Sequence, residues 1–289
     1  MLPQDGHVHS QFSWDATVVG DMYATCPRAV AIGLPSLAFT EHVDLRPWAR
    51  HGVAVPAGYR GHVDDHSRFL ADPLDIAAYL QEIDRCRSTF PELGILSGVE
   101  LSEPHHHPDA VPGVLAAAGL DTAGGVDRVI GSVHSLPDLD AVPPGSGWVE
   151  VPDAYPQRRP VEVVHAYLDE IATMAASDAP FAVLGHIDYP LRSWPADAGP
   201  VPWTELQEQF RAALRVLADS GRALEVNTRL PLSPRVVSWW HQVGGQSVVF
   251  GSDAHLPDFV AHDFVETAAM VEAHGFRAGS TPYEHWGRA

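Results

Sequence analysis

The sequence contains no lysine: all eighteen of its basic residues are arginine. Schiff-base aldolases, pyridoxal enzymes and P-loop nucleotidases each need a lysine amine, so the absence of lysine excludes these classes. Positive charge is also scarce, since thirty-seven acidic residues give the chain a formal net charge of −19. Such a charge repels phosphate backbones and acidic membranes. We therefore expect neither long nucleic acid nor a membrane as a partner.

Cysteine and long apolar runs are scarce too. Cys26 and Cys86 lie outside any CxxC or CxxH spacing, so we expect two reduced residues of the core. No stretch approaches about eighteen uninterrupted apolar residues, and no basic segment followed by an apolar run opens the chain. A cytoplasmic location is the resulting expectation. Since no linker or repeat suggests a second domain, we expect one domain over residues 1–289.

Short β-like runs alternate with longer segments of helical periodicity. Seven candidate strands end near residues 9, 40, 100, 134, 186, 227 and 253. Apolar residues at helical spacing cover residues 74–90, 161–176, 203–220, 234–242 and 259–274. A doubly wound sheet is one possible architecture, but the chain lacks its Gly-rich phosphate turn and carries reactive residues at almost every strand end. We therefore predict an α/β fold with a closed parallel barrel and a site at the C-terminal face of the strands.

Two connections between these elements are unusually long. One covers roughly residues 43–73 and is rich in Pro, Gly, His and Asp, and the other covers residues 137–160. Long loops inside compact domains are often lids or specificity elements. We expect the substrate to bind beneath them.

Histidines and carboxylates collect where the candidate strands end. Six of the seventeen histidines lie there, together with three carboxylates. The nine residues are His7, His9, Asp15, His42, Glu100, His134, His186, Asp253 and His255. A single histidine at a strand end is more often a hydrogen-bonded core or loop residue. Nine together favour a site for two or three divalent ions of zinc, manganese or iron, because neutral imidazole and carboxylate suit these metals.

Six short motifs around these residues resemble, in order and spacing, the motifs of the polymerase-and-histidinol-phosphatase (PHP) superfamily. They are Asp5-Gly-His-Val-His9, Phe39-Thr-Glu-His42, Gly98-Val-Glu100, Ile130-Gly-Ser-Val-His134, Gly185-His-Ile-Asp188 and Gly251-Ser-Asp-Ala-His255. The resemblance spans nearly the whole chain. It implies a single distorted (β/α)7 TIM-like barrel that holds a trinuclear site.

The same resemblance assigns the nine residues to three ions. One ion would take His7, His9, Glu100 and Asp253; a second would share Glu100 with His134 and His186; a third would take Asp15, His42 and His255. The implied reaction is phosphomonoester hydrolysis by a metal-activated hydroxide, which releases inorganic phosphate. Glu100, Asp253 and His255 are the predicted catalytic residues.

The substrate implied by the resemblance is a small phosphorylated metabolite. A free-standing chain of this length most resembles the histidinol-phosphate phosphatases, which release phosphate from L-histidinol phosphate in histidine biosynthesis. Those enzymes typically follow the sixth strand's Asn-Thr with a Gly-Leu-Arg-Lys-like segment, whereas this chain reads Asn-Thr-Arg-Leu-Pro-Leu-Ser-Pro over residues 227–234. Because of this difference, the sequence does not identify the alcohol that is released from the phosphate. Arg192 and Arg229 are the candidates for phosphate binding, and a solvated surface charge is the alternative for each.

Two other functions stay open. A phosphoesterase or phosphodiesterase acting on another small substrate, such as a nucleotide, would use the same metals, although the chain lacks a basic groove. A non-catalytic metal-binding barrel would use the fold alone, although the ligand set is complete. The oligomeric state is open as well. We expect His105, His106 and His107 to be surface residues, and we expect Glu41 and Asp188 to orient imidazoles of the site.

Overall fold

A computed structural model describes residues 2–51, 54–120, 122–281 and 283–289. The strands in this part of the chain are β1 (Asp5–Val8), β2 (Ser36–Val43), β3 (Trp48–Ala49), β4 (Gly61–Val63), β5 (Arg68–Ala71), β6 (Gly94–Ser102), β7 (Arg128–Ser132), β8 (Ser135–Pro137), β9 (Trp148–Glu150), β10 (Val183–Leu184), β11 (Ala223–Asn227), β12 (Ser247–Gly251), β13 (Phe276–Arg277) and β14 (Trp286–Arg288). The helices are α1 (Met22–Ala31), α2 (Ile76–Thr89), α3 (Val111–Ala117), α4 (Pro160–Ala176), α5 (Trp203–Asp219), α6 (Pro234–Val243) and α7 (Phe264–Ala273).

The main sheet has the strand order β1-β2-β6-β7-β10-β11-β12-β14-β13. Its first seven strands pair in parallel, and β14 and β13 add an antiparallel edge. Each predicted strand corresponds to one of the parallel strands. Every residue of β2 and β11 is buried, as expected for central strands of a parallel sheet whose two faces are both covered.

The main sheet curls until its first strand meets the end of β12. Asp253 N donates to His7 O, and His9 N donates to Ala254 O, both at 2.8 Å. One isolated parallel bridge joins Val8 to Ala254. The structure is therefore a mixed α/β fold with a curled half-barrel sheet, which is a coarser result than the closed barrel predicted from the sequence.

Five of the helices match the predicted helical segments. The start of the last one was predicted wrongly, because a 3-10 turn (Pro257–Phe259) and a left-handed Asp263 (φ 56°) delay α7 until Phe264. Helices α1 and α3 were not predicted: α1 contains Pro27, and α3 has only seven residues. No helix in the described ranges is long and apolar enough to cross a membrane.

The two long connections fold into a second, small sheet beside the strand ends, here called the cover sheet. Its strand order is β4-β5-β3-β9-β8. Gly52 and Val53 of the first connection lie outside the described residues. A small aromatic core holds the cover sheet, since the ring centroids of Trp14 and Trp48 lie 5.5 Å apart and those of Trp48 and Phe69 lie 5.2 Å apart. Trp48 of the first connection and Glu150 of the second line one cavity at the strand ends, so the cover sheet places part of both connections there.

The cysteines are buried in the core, as predicted. Cys26 on α1 and Cys86 on α2 are both free thiols. Trp240, the largest fully buried side chain among the described residues, packs in the same core.

Candidate metal centre

The structure brings all nine predicted ligands together at the C-terminal ends of the parallel strands. The side chains of Asp15, His134 and His255 are 14–16% exposed. The other six have side chains that are at most 8% exposed. The cluster is thus buried on one side and open on the other, as a site that admits a ligand must be.

The first group of ligands surrounds the end of β1. His7 and His9 lie two residues apart, so their side chains point to the same face of the strand. Their Nε2 atoms are 2.9 Å apart, and they lie 3.2 Å and 3.4 Å from Glu100 Oε2. Asp253 Oδ1 lies 3.5 Å from His9 Nε2.

The other two groups are equally compact. His134 Nε2 and His186 Nε2 lie 3.4 Å and 2.9 Å from Glu100 Oε1. His42 Nε2 and His255 Nε2 lie 3.5 Å and 2.9 Å from Asp15 Oδ2. Glu100 joins the groups, because His42 Nδ1 is also 3.0 Å from its Oε2.

These donors fit divalent metal ions. Two ligand atoms on one tetrahedral zinc ion lie about 3.3 Å apart, given bonds of about 2.0–2.1 Å, and the spacings above cluster around that value. Glu100 Oε2 and Asp15 Oδ1 are buried and have no hydrogen-bond partner in the described part of the chain. Buried polar atoms rarely stay unpaired. A bound metal would be coordinated by the converging donors and would give both unpaired oxygens a partner.

Electrostatics link the carboxylates and imidazoles. Burial would raise the pKa of Glu100, but His7, His134 and His42 outweigh it and hold that pKa well below its ordinary value. Burial would likewise lower the pKa of His134, yet Glu100 and Asp44 raise it to about 10. For His186 burial dominates, and its pKa falls to about 4. Metal binding at this cluster therefore displaces protons.

Glu225 supports the centre and was not predicted from the sequence. It lies fully buried on β11, where its Oε1 is 2.7 Å from His7 Nδ1 and its Oε2 accepts a 2.6 Å hydrogen bond from His186 N. A carboxylate that accepts from the second ring nitrogen fixes the tautomer in which Nε2 is free to bind a metal. The available signal was a charged residue inside an otherwise apolar strand.

Asp44 was missed in the same way. Its buried carboxylate accepts a 2.7 Å hydrogen bond from Trp14 Nε1 and lies 3.6 Å from His134 Nδ1. It follows β2 directly and therefore faces the cavity rather than the core.

Glu41 and Asp188, which we predicted to orient imidazoles, have different surroundings. Glu41 acts through a hydroxyl: Ser13 Oγ donates to Glu41 Oε2 at 2.6 Å and lies 2.9 Å from His9 Nδ1. Asp188 is buried next to Arg192, and burial raises its pKa to about 7.

A cavity of about 360 Å³ opens beside the ligands. Arg192 and Arg229 both line it. Arg192 Nη1 lies 2.7 Å from Asp253 Oδ2, while its Nε and Nη2 are buried without a hydrogen-bond partner among the described residues. Arg229 is 49% exposed, and its Nη1 lies 3.5 Å from Asp253 Oδ1. Buried free donors at this position suit an anion.

The rest of the cavity wall is mainly acidic and aromatic. It contains the carboxylates of Asp44, Glu103 and Glu150 and the rings of Trp14, Trp48 and Tyr59. This wall suits a ligand group that is cationic or aromatic. The cavity therefore offers donors that suit an anion and acidic and aromatic groups that suit a cation.

The prediction for the three consecutive histidines is wrong for His105. Its imidazole is 4% exposed, and Nε2 lies 2.8 Å from Glu170 Oε1 on α4. Surface exposure was expected because the segment is flanked by proline, but the turn after β6 directs this ring against the helix.

The fold and the site together define an α/β protein that gathers nine metal-competent side chains at the ends of its parallel strands. Residues 5–229 match the family model of the PHP domain, and the chain belongs to this family.

Two curated relatives cover most of the chain. A histidinol-phosphatase from Lactococcus lactis is 26% identical over 271 residues, which is 89% of this chain and 85% of the relative. A protein named "Probable histidinol-phosphatase" from Clostridium acetobutylicum is 23% identical over 281 residues, 93% of this chain and 92% of the relative.

A solved structure shares the fold. It is the crystal structure of histidinol phosphate phosphatase from Lactococcus lactis complexed with zinc, L-histidinol and phosphate. The two structures agree with a TM-score of 0.76 at 23% identity, over 94% of each chain.

Proposed function

We propose that this protein is a metal-dependent phosphomonoesterase that hydrolyses L-histidinol phosphate to L-histidinol and inorganic phosphate. The observation that carries the proposal is the convergence of the complete set of nine ligands beside a cavity with buried free donors. A non-catalytic barrel would have no need for these donors. The names of the curated relatives, and the ligands of the solved structure, support the same substrate.

The nine residues would hold two or three divalent ions in the three groups described above. Zinc suits the imidazole-rich donor set, and manganese or iron would also fit it. When bound, such ions activate water and neutralise the charge on a transferring phosphoryl group. Among the predicted catalytic residues, Glu100 contacts histidines of all three groups of ligands. Asp253 forms an ion pair with Arg192, and His255 contacts Asp15 in the third group.

The side chains of this protein would bind and orient the phosphate. Arg192 offers Nε and Nη2 in a fixed plane, which matches two oxygens of a phosphate monoester. Asp253 holds that plane through Nη1. Arg229 lies on the solvent side and adds a second positive charge. The segment after Asn227 departs from the family pattern, but it still places Arg229 at the cavity.

The acidic wall favours histidinol phosphate over nucleotides. L-histidinol carries an ammonium group and an imidazole. The ionised carboxylate of Asp44, whose pKa burial would raise but the neighbouring His134 lowers, would attract the protonated forms of both groups. A nucleoside monophosphate brings no cationic group to this wall. A phosphoesterase acting on nucleotides is therefore the weaker candidate.

The proposal extends to the architecture and setting. We propose that residues 1–289 form one domain and that the seven parallel strands close into a barrel, which the bridge between Val8 and Ala254 supports. We also propose that the enzyme is cytoplasmic.

A substrate comparison tests this function. Phosphate release by zinc- or manganese-loaded protein is measured on L-histidinol phosphate, on nucleoside monophosphates and on an aryl phosphate, with Glu100→Gln as the inactive control. We expect strong preference for histidinol phosphate and no turnover by Glu100→Gln. Preference for a nucleotide would overturn the substrate, and near-normal turnover by Glu100→Gln would overturn the metal chemistry.

A further inference from the structure

Two of the three consecutive histidines meet a glutamate of helix α4. Glu103 adopts a left-handed conformation (φ 43°) and turns the chain from β6 into the 3-10 segment Pro104–His106. The rings of His105 and His106 then lie side by side, with centroids 4.0 Å apart. Both rings reach Glu170: His105 Nε2 lies 2.8 Å from Oε1, and His106 Nε2 bonds to the same oxygen. These three residues are here called the rim cluster.

The rim cluster has the donor set of a metal site. Its two imidazole nitrogens and one carboxylate oxygen lie within 4.8 Å of one another. Two histidines and one glutamate leave a fourth, open position on a tetrahedral ion. None of these residues belongs to the nine-residue centre. We infer that the rim cluster binds one additional divalent ion of the zinc class, with water in the open position.

The burial of the three side chains is graded from the core to the solvent. His105 is 4% exposed, Glu170 is 14% exposed and His106 is 31% exposed. The first two are held in place by the turn and the helix, so ordering them for an ion costs little conformational entropy. His106 lies at the edge and leaves a path for the ion. A mobile surface ion pair would instead expose all of its members.

A neighbouring arginine limits the affinity of the rim cluster. The guanidinium carbon of Arg46 lies 3.4 Å from the ring centroid of Trp148, and that ring lies 5.0 Å from the ring of His106. The positive charge of Arg46 acts on Glu103 and Glu170 and opposes a cation nearby. The nine-residue centre has more carboxylates, so zinc fills that centre first and the rim cluster last.

Zinc stoichiometry tests this inference without any phosphoester. The full-length protein is dialysed to equilibrium against buffered Zn²⁺, and bound metal is measured by atomic emission for wild type, Glu170→Gln and His106→Gln. His107→Gln is the matched control, because this histidine belongs to the same turn but not to the rim cluster. Circular dichroism checks that each variant folds. We expect Glu170→Gln and His106→Gln each to lose one equivalent, the last to bind, while His107→Gln retains it.

Two results would overturn the inference. Equal stoichiometry in all four proteins would mean that the rim cluster binds no ion. Loss of more than one equivalent in Glu170→Gln or His106→Gln would mean that the change acts on the nine-residue centre instead. A cobalt-loaded sample gives a second readout, because the ligand-field absorption of the additional ion should disappear in the same two variants.

Discussion

Arg192 lies at the boundary between the metal centre and the cavity. One of its amino groups is bound to Asp253, while Nε and Nη2 are buried and unpaired among the described residues. Buried charged donors without a partner are unfavourable, so an anion that accepts hydrogen bonds from both Nε and Nη2 should bind more tightly. Arg229 is half exposed and already hydrated, and it gains less from the same anion.

The first prediction separates these two arginines. A hydrogen bond to a charged group contributes roughly 1.5–3 kcal/mol, so Arg192→Gln should lower kcat/KM for the phosphoester about 10- to 150-fold. Arg229→Gln should lower it less. Steady-state kinetics at matched metal content measure both effects. A larger loss in Arg229→Gln than in Arg192→Gln would contradict the assignment of the main phosphate contact.

The second prediction concerns Glu225, which does not line the cavity but bonds to the ring of His7 and to the backbone N–H of His186. A glutamine here would place an amide N–H₂ against one or more of the donors that now face the carboxylate, which are His7 Nδ1, His186 N and Asn227 Nδ2. Because such supporting contacts tune metal affinity, Glu225→Gln should weaken metal binding about 10- to 100-fold. Competition with a chromophoric chelator measures this affinity, and Glu266→Gln on the exposed face of α7 is the control. Wild-type affinity in Glu225→Gln would show that the contact is dispensable.

At the scale of elements, the cover sheet and the main sheet have different tasks. The main sheet positions the ligands, whereas β3 and β9 of the cover sheet contribute Trp48 and Glu150 to the cavity wall. A 2.8 Å hydrogen bond from Arg50 Nη1 to Glu150 Oε2 joins the two long connections. Changes in the cover sheet should therefore alter substrate binding before they alter metal content.

The third prediction tests this division with Trp48→Ala. Trp48 is 4% exposed and packs against Trp14 and Phe69, so its loss removes the centre of the small aromatic core. Large aromatic-to-alanine changes lower the free energy of unfolding by roughly 3–5 kcal/mol. We expect a loss of this size to unfold so small a sheet. We expect a raised KM and faster proteolysis within residues 43–73, with unchanged metal content. Wild-type KM and protease resistance would contradict the separate role of the cover sheet.

The fourth prediction concerns the pH dependence of stability at Glu150. Burial raises the pKa of Glu150 from 4.5 to about 7, although Arg50 opposes the shift. The protonated carboxyl is favoured in the fold, so its stabilising contribution is complete below pH 4.5 and is lost as the pH rises through 7. Relative to wild type, Glu150→Gln should gain up to about 3 kcal/mol in unfolding free energy between pH 4.5 and pH 8. Denaturant titrations across this range measure the difference, and a constant difference would refute the linkage.

The parallel strands of the main sheet and the nine candidate ligands could be found in the sequence because both depend on local signals. Each parallel strand is a short apolar run, and the candidate ligands other than Asp15 lie at or near the end of such a run. Helix α3 was missed because seven residues with Pro112 and Gly113 carry too little periodicity.

Features that depend on distant pairing could not be predicted in this way. The cover sheet joins strands of two to four residues that are far apart in the sequence, as where Ala49 pairs with Val149, one hundred residues later. The support from Glu225 depends on the register that places β11 beside β10 and near β1. Neither register is encoded in the nearby sequence.

At the scale of the whole molecule, the centre concentrates buried ionisable groups in a chain with a net charge of −19. Without bound ions, the imidazoles and carboxylates of the centre balance one another through protons, as the raised pKa of His134 and the lowered pKa of Glu100 indicate. Bound ions replace these protons and bind only the folded chain, so they should stabilise it. Catalysis and stability should therefore depend on the same ions.

Metal reconstitution of the chelated protein tests the central claim most directly. Zn²⁺ or Mn²⁺ is added stepwise to metal-free protein, and phosphate release from L-histidinol phosphate is followed together with the thermal midpoint. We predict no turnover in the metal-free protein, and a joint rise of turnover and midpoint as two or three ions fill the nine-residue centre. Full turnover in the metal-free protein, or none at any metal content, would contradict the account.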